Sequence, residues 1–161
     1  MPLRHRDSIG SGLFFVTTST RQREVMFKSS QHYALVANKI EHYRERENAQ
    51  VHAYVIMPNH FHLLISVPKE KSLSIFMRDV KKIIAREYCQ LAEIPLRPFW
   101  QSRFDDLLIY SEEKYIIKFN YIHNNPVKAG LERQPEDWEY SSAGFYVNGK
   151  PGRITVTPVS F

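Results

Sequence analysis

The sequence of 161 residues contains a single cysteine, Cys89, and no long hydrophobic run. A lone cysteine excludes an intramolecular disulfide and any zinc site built from several thiolates. No stretch approaches the roughly 18 consecutive apolar residues of a membrane-spanning helix, and no apolar segment follows residues 1–7 as it would in a secretory leader. We therefore expect a cytoplasmic protein in a reducing compartment, without a membrane partner.

Internal repeats, low-complexity tracts and Gly/Ser-rich linkers are also absent. With 43% hydrophobic and 24% charged residues, the chain has enough apolar material for one buried core. We predict one domain over residues 1–145 and a loop-rich tail of the same domain over 146–161. The 22 Lys and Arg residues outnumber the 17 Asp and Glu residues, and the net charge of +5 favours a polyanionic partner.

The order of the predicted elements indicates an antiparallel sheet. Runs rich in β-branched and aromatic residues occur at 12–18, 51–57, 60–67 and within 99–110, and serines that can cap helices are Ser29, Ser30, Ser72, Ser74 and Ser111. The short break at 58–59 favours a hairpin. The order β-α-β-β-α-β, followed by a further helix, predicts an α+β fold with a ferredoxin-like antiparallel sheet and helices on one face.

The sequence also predicts the core residues of the second helix and an irregularity in the last one. The core stripe of the second helix is expected to contain Phe76, Val80, Ile83, Ile84 and Leu91. Pro126 predicts a boundary or a kink in the last helix, because the residue before a proline is disfavoured in the helical conformation.

Two histidines stand one residue apart in the predicted strand at 60–67. Side chains alternate between the two faces of a strand, so His60 and His62 share one face, roughly 6–7 Å apart at Cα. Two such imidazoles can bind one metal ion, although many His-x-His pairs are surface or hydrogen-bonded residues. Leu64 replaces the third histidine of a histidine-triad hydrolase, and a zinc metalloprotease would place its pair on a helix. A cupin-type site with ligands from neighbouring strands stays open.

Tyr121 falls outside the predicted core of the last helix. At about 100° per residue, the apolar arc of this helix consists of Tyr115, Ile116, Phe119 and Ile122. Tyr121 lies opposite this arc, and its angular neighbours are Lys114, Ile117, Lys118 and Asn125. A phenol beside positive charge forms its phenolate at lower cost, and phenolate is a competent nucleophile at phosphorus. The alternative is an exposed tyrosine on an amphipathic helix.

Together these segments resemble the REP-associated tyrosine transposases, which are single-tyrosine HUH endonucleases. The matching runs are YVIMPNHFHLLI at 54–65, FWQSRF at 99–104, YIHNNPVKAGL at 121–131 and PEDWEYSS at 135–142. The resemblance spans roughly residues 10–145, and the four runs occur in the order that the family shows. In the HUH motif the central residue is a bulky hydrophobic one, which is Phe61 here.

The resemblance implies a metal-dependent endonuclease and strand transferase that acts on single-stranded DNA beside hairpins. His60 and His62 would bind a divalent ion, Mg²⁺ or Mn²⁺, and Asn125 stands where related transposases have a third ligand. Tyr121 would be the nucleophile, leaving a 5′-phosphotyrosine link and a free 3′-hydroxyl. Stored phosphodiester energy then allows strand joining without ATP.

The resemblance also indicates the partners. Basic residues expected to follow the DNA backbone are Arg78, Lys81, Lys82, Arg86, Lys118 and Lys128, together with Arg21, Arg23 and Lys150. An enzyme of this kind would be cytoplasmic and associated with the nucleoid when it binds DNA. Related transposases include homodimers that exchange the tyrosine between chains and members that work as monomers, so the sequence leaves the oligomeric state open.

Two other functions remain compatible with the residues. The chain could be a non-catalytic protein that binds DNA hairpins on the same scaffold. It could also be an unrelated metal-dependent phosphoesterase, which would use the histidine pair but would not need Tyr121.

Overall fold

The computed structural model describes residues 12–161. The strands are β1 (Leu13–Ser19), β2 (Gln50–Met57), β3 (His60–Ser66) and β4 (Asp105–Ile109), and the helices are α1 (Ser30–Arg46), α2 (Leu73–Leu91), α3 (Glu112–Lys128) and α4 (Ala143–Asn148). Short 3₁₀ segments occur at Arg21–Arg23 and Pro135–Asp137. The expectation for residues 1–7, and the first part of the domain predicted over 1–145, lie outside the described residues.

The four strands form one sheet in the order β2-β3-β1-β4, and every neighbouring pair is antiparallel. This order results from two β-α-β units, β1-α1-β2 and β3-α2-β4. The two strands of each unit are not neighbours, because one strand of the other unit lies between them. The predicted hairpin is present, since β2 and β3 are joined at residues 58–59 and pair from Met57 opposite His60. The predicted ferredoxin-like α+β fold is therefore confirmed.

Helices cover both faces of the sheet. On one face α1 and α2 pack against each other and over a core that includes Val16, Phe61 and Leu63. On the other face α3 packs on β2 and β3, over a second cluster that includes Phe15 and Leu64. The prediction of helices on one face thus holds for α1 and α2 but is wrong for α3. The physical reason is that β2 is apolar on both sides, so Ala53, Val55 and Met57 need a cover on the side that α3 occupies.

The starts of the three long helices agree with the sequence. The side chains of Ser29, Ser72 and Ser111 each accept a hydrogen bond from the backbone amide three residues later, which satisfies one free amide of the first turn. Two predicted core positions are wrong, because Leu91 of α2 is 45% exposed and Ile116 of α3 is 48% exposed. Among residues 12–161, no neighbouring element packs closely enough on either side chain to bury it.

The last long helix continues through Pro126 instead of ending there. It ends at Lys128, and the following Gly130 has φ +75°. The amide of Gly130 donates to the carbonyl of Val127, and the amide of Leu131 donates to that of Pro126. These two bonds form a Schellman motif, which needs a left-handed residue and therefore favours glycine. The predicted boundary or kink at Pro126 is thus replaced by a cap four residues later.

The C-terminal segment packs on the domain. It contains α4, which the sequence did not predict within its loop-rich region, and Val156 forms a parallel bridge with Val51 at the β2 edge. Ile154 is buried, and the Phe161 ring lies 5.2 Å from that of Tyr115. No helix of residues 12–161 combines the length and apolarity that crossing a bilayer requires.

Candidate active site

His60 and His62 project from β3 towards the face of the sheet that α3 covers. Their ring centroids lie 4.8 Å apart, and both side chains are buried. The alternation of β3 decides this placement, because Phe61, Leu63 and Ile65 turn to the α1/α2 core instead. The predicted common face of the two histidines is therefore confirmed.

Hydrogen bonds orient the two imidazoles. His62 Nδ1 lies 2.8 Å from Thr17 Oγ1, on the strand position directly opposite in β1. His60 Nδ1 lies 2.7 Å from Asn59 Oδ1, an oxygen that can only accept, so His60 donates through Nδ1. This arrangement leaves the lone pair of the His60 ring on Nε2. His62 Nε2 is buried and has no hydrogen-bond partner among residues 12–161.

Electrostatics keeps both histidines neutral. Burial and the Arg23 guanidinium lower the pKa of His60 to about 4. Burial, the adjacent His60 and the Lys118 ammonium lower the pKa of His62 to about 3. A neutral imidazole is the form that binds a metal ion, so the pair is ready to act as ligands at neutral pH.

The donor set fits a divalent ion that completes its coordination with oxygen. An unpartnered, buried Nε2 is costly unless something binds it, and metal-bound histidines characteristically donate their other ring nitrogen, as His60 does here. Within residues 12–161 no group of three or more His, Cys, Asp or Glu side chains can hold a metal ion. Asn125 lines the same groove as His60, so its amide oxygen is a candidate third ligand.

Tyr121 stands at the edge of this site. Its ring is 44% exposed and meets the His62 ring edge-on at a centroid distance of 5.3 Å. Phe15 lies under both residues, 6.0 Å from the Tyr121 ring and stacked 5.2 Å from the His62 ring. The Lys118 ammonium lies 4.7 Å from the Phe15 centroid and 5.5 Å from the Tyr121 centroid. A phenol, a cation and two imidazoles thus meet at one place.

An open groove of about 680 Å³ runs past these residues, which we call the catalytic groove. His60, Tyr121, Asn125, Lys128 and Arg23 all line it. His60, Tyr121 and the candidate third ligand Asn125 therefore line one solvent-accessible groove, although His60 lies 61 positions before Tyr121 in the sequence. His62 lies buried beside this groove.

The same chain matches known transposases over most of its length. Residues 13–125 match the family model described as "Transposase IS200 like". The chain belongs to the IS200-like transposase family. It is 30% identical over 135 residues to the REP-associated tyrosine transposase of Escherichia coli K12, covering 83% of this chain and 78% of that protein.

Two solved structures resemble this IS200-like transposase. A REP-associated tyrosine transposase bound to a REP hairpin superposes with a TM-score of 0.76 at 25% identity, covering 100% of this chain and 94% of that one. A protein from Deinococcus radiodurans superposes with a TM-score of 0.54 at 17% identity, covering 76% of this chain and 96% of that one, and shows the shared fold alone. The family consists of DNA-processing enzymes, and the resemblance found in the sequence is confirmed.

The predicted basic residues of this transposase do not form one surface. Lys118 and Lys128 lie at or in the catalytic groove. Arg78 and Lys81 line a separate pocket on α2, which packs on the opposite face of the sheet. Lys82 and Arg86 are exposed on α2 and line neither of these cavities.

The residues that orient the candidate catalytic side chains were not predicted from the sequence. Thr17 and Asn59 orient the histidines; Thr17 lies outside the motifs, and Asn59 lies within the run at 54–65 but was not assigned a role. His123, on the buried side of α3, has its Nε2 2.7 Å from Ser142 Oγ, and that oxygen accepts the amide hydrogen of Tyr54 in β2. The one available signal was that His123 lies on the apolar side of the helix, where a polar side chain needs a partner.

Proposed function

We propose that the chain is a divalent-metal-dependent endonuclease and strand transferase, which cleaves single-stranded DNA beside hairpins through a 5′-phosphotyrosine intermediate. The observation that carries the proposal is the contact of the Tyr121 ring with His62, 5.3 Å between centroids, at the rim of a groove that His60 also lines. An unrelated phosphoesterase would have no use for a tyrosine in this position.

Tyr121 attacks the scissile phosphorus. The phenolic oxygen forms a bond to phosphorus, the bond from phosphorus to the 3′-oxygen breaks, and the proton lost by the phenol is balanced by the proton that the 3′-oxygen gains. The exposed position of Tyr121 lets the DNA strand reach it, and α3 holds it with little freedom. Attack by a 3′-hydroxyl on the same phosphorus reverses the step and joins strands.

His60, His62 and Asn125 are the proposed metal ligands. A bound divalent ion supplies polarisation of the scissile phosphate and neutralisation of the charge that builds up there. Thr17 and Asn59 keep the imidazoles in position, and burial keeps them neutral. Lys118, beside Tyr121, offers its ammonium group to the attacked phosphate and favours the negative charge that develops on the phenolic oxygen.

The proposed substrate is DNA that carries a hairpin. A relative of this chain is bound to a REP hairpin, and that likeness covers the whole chain. The catalytic groove offers Arg23 and Lys128 to the phosphates of a strand that approaches Tyr121.

The experiment is a denaturing gel of protein mixed with 3′-labelled single strands that carry a REP hairpin and unpaired flanks, in Mn²⁺ or Mg²⁺. We expect a slow, protease-sensitive adduct with the wild type and none with Tyr121→Phe. Tyr110→Phe is the matched control, since Tyr110 is 76% exposed and lies before α3. An adduct that persists in Tyr121→Phe, or cleavage to free ends without any adduct, contradicts the proposal.

We propose that Tyr121 acts in cis, which the contact within one chain supports. The ring contact joins Tyr121 to His62 of the same chain. Mixing His62→Gln with Tyr121→Phe tests this: no adduct is expected from the mixture, because neither chain holds an intact site. An adduct in the mixture would show that the tyrosine is exchanged between the two chains of a homodimer.

A further inference from the structure

A second concave site lies away from the catalytic groove. The pocket encloses about 300 Å³ between the first half of α2 and the segment before β4. Ser74, Arg78 and Lys81 line it from α2, where spacings of four and three residues place them on one side of the helix. Ser102, Arg103 and Phe104 line it from the other side. We call it the α2 pocket.

The lining combines cations with an aromatic wall. Lys81 Nζ donates to the carbonyl of Gln101 at 3.2 Å, which ties the two sides of the pocket together, and burial lowers the pKa of Lys81. Arg78 pairs with Asp79 at 2.9 Å, so part of its charge is balanced. Phe104 packs against the main core and is held in place. Guanidinium groups that bind phosphate and an aromatic ring that stacks with a base are the usual components of single-strand DNA sites.

A recess shares lining residues with both the α2 pocket and the catalytic groove. It is lined by Thr17, Ser19, Arg23, Arg103 and Asp105 among others. Arg103 and Ser102 belong to both the recess and the α2 pocket, whereas Arg23 belongs to both the recess and the catalytic groove. Arg103 thus lies between the α2 pocket and the recess, Arg23 lies between the recess and the catalytic groove, and Asp105 also lines the recess.

We propose that the α2 pocket binds an unpaired nucleotide of the same DNA strand whose scissile phosphate lies in the catalytic groove. Arg78 and Arg103 hold phosphates, and Phe104 stacks with the base. A paired base keeps its faces covered by its neighbours, so the pocket distinguishes single-stranded from double-stranded DNA. The inference rests on the proposed function for the identity of the ligand and extends it to a binding site remote from Tyr121.

The test measures binding without chemistry. Fluorescence anisotropy is recorded with Tyr121→Phe protein in Mg²⁺, so that no adduct can form, using an oligo(dT) strand of about twelve nucleotides and a blunt duplex of matched length. The variant is Arg78→Gln with Arg103→Gln. Arg46→Gln is the control, because it removes one exposed charge of α1 that lies outside these cavities.

We expect the double variant to bind oligo(dT) about tenfold more weakly and the duplex less than twofold more weakly. The slope of log affinity against log salt for oligo(dT) should fall by about 1.4, which corresponds to two lost phosphate contacts at about 0.7 each. Arg46→Gln should change neither affinity by more than about twofold.

Phe104→Leu provides an independent variant, since it keeps the charge and the core packing but removes the ring. It should weaken oligo(dT) binding about fivefold without changing the salt slope, because stacking releases no counterions. Equal losses for oligo(dT) and duplex, or no loss for either, would overturn the inference. Failure here leaves adduct formation by Tyr121 untouched, so the two proposals fail separately.

Discussion

Thr17 Oγ1 lies 2.8 Å from Nδ1 of His62, across the β1-β3 ladder. The contact orients the imidazole whose other nitrogen is buried without a partner. Residues that hold a metal-binding histidine in this way contribute indirectly, because they determine the tautomer and the ring angle. The adjacent Thr18 is buried, and its Oγ1 has no hydrogen-bond partner in the part of the chain that the structure describes.

The two threonines therefore form a matched pair of variants. Thr17→Val removes the hydrogen bond to His62 at constant shape, and we expect metal affinity and the rate of adduct formation to fall about 10–100-fold. Thr18→Val removes a hydroxyl without a partner, and we expect no loss of stability or activity. Calorimetric Mn²⁺ titration and adduct gels measure both. Similar effects of the two variants would argue against a positioning role of Thr17.

His123 positions the tyrosine helix. We expect His123→Phe, which loses the bond to Ser142, to slow adduct formation at least about tenfold, because small displacements of a reacting group cost rate. Hairpin affinity should stay within about twofold. His42→Phe, on the exposed side of α1, is the control. Parallel losses of hairpin affinity and adduct formation would instead indicate a general loss of structure, which urea unfolding would reveal.

Lys118 lies beside Tyr121, the proposed nucleophile, and the charge of Lys118 should matter more than its bulk. Lys118→Met is expected to slow adduct formation about tenfold or more, whereas Lys118→Arg retains most of the activity, because only the former removes the cation near Tyr121. Lys114→Met, on the exposed first turn of α3, serves as the control. Rates are compared at saturating DNA. Equal rates for Lys118→Met and the wild type would refute this role.

Acid should destabilise the metal-free protein. Burial lowers the pKa of His60 and of His123 to about 4 and that of His62 to about 3, whereas the unfolded chain keeps the ordinary value of 6.5. Between pH 4 and pH 6.5 the unfolded state binds more protons than the folded state. The free energy of unfolding is therefore at its highest above pH 6.5 and decreases as the pH drops towards 4.

At pH 5 each of the three histidines accounts for a loss of up to about 2 kcal/mol. Urea unfolding with EDTA at pH 7 and pH 5 measures the loss, and His123→Gln should show a smaller difference between the two. A protein that is equally stable at both pH values would contradict the assignment of neutral, buried histidines.

Manganese should support a faster reaction than magnesium. The proposed ligands are two imidazoles and one amide, and Mg²⁺ prefers an all-oxygen set whereas Mn²⁺ accepts nitrogen more readily. We expect adducts with both ions and higher initial rates with Mn²⁺ at matched free concentrations. Equal rates across the titration would indicate that the imidazoles do not bind the ion directly.

Much of the candidate site was predictable because its pattern is local. The shared face of His60 and His62 follows from strand alternation, and the position of Tyr121 outside the core follows from helical periodicity. Ile116 shows where periodicity fails, since it belongs to the apolar arc of α3 but has no element over it. Pro126 did not predict the end of α3 either, because the cap that ends this helix is formed by the amides of Gly130 and Leu131.

The sequence by itself determined the order of strands and helices, the serine caps and the residues that carry the transposase resemblance, because each depends on neighbours a few positions apart. Only the tertiary structure decided that α3 crosses the second apolar face of the sheet and brings Tyr121 to His62. It also decided that Thr17 contacts His62, that Ser142 contacts His123, and that Arg23 and Arg103 each line two cavities. These relations join residues far apart in the chain, and they arise from burying both faces of one sheet at once.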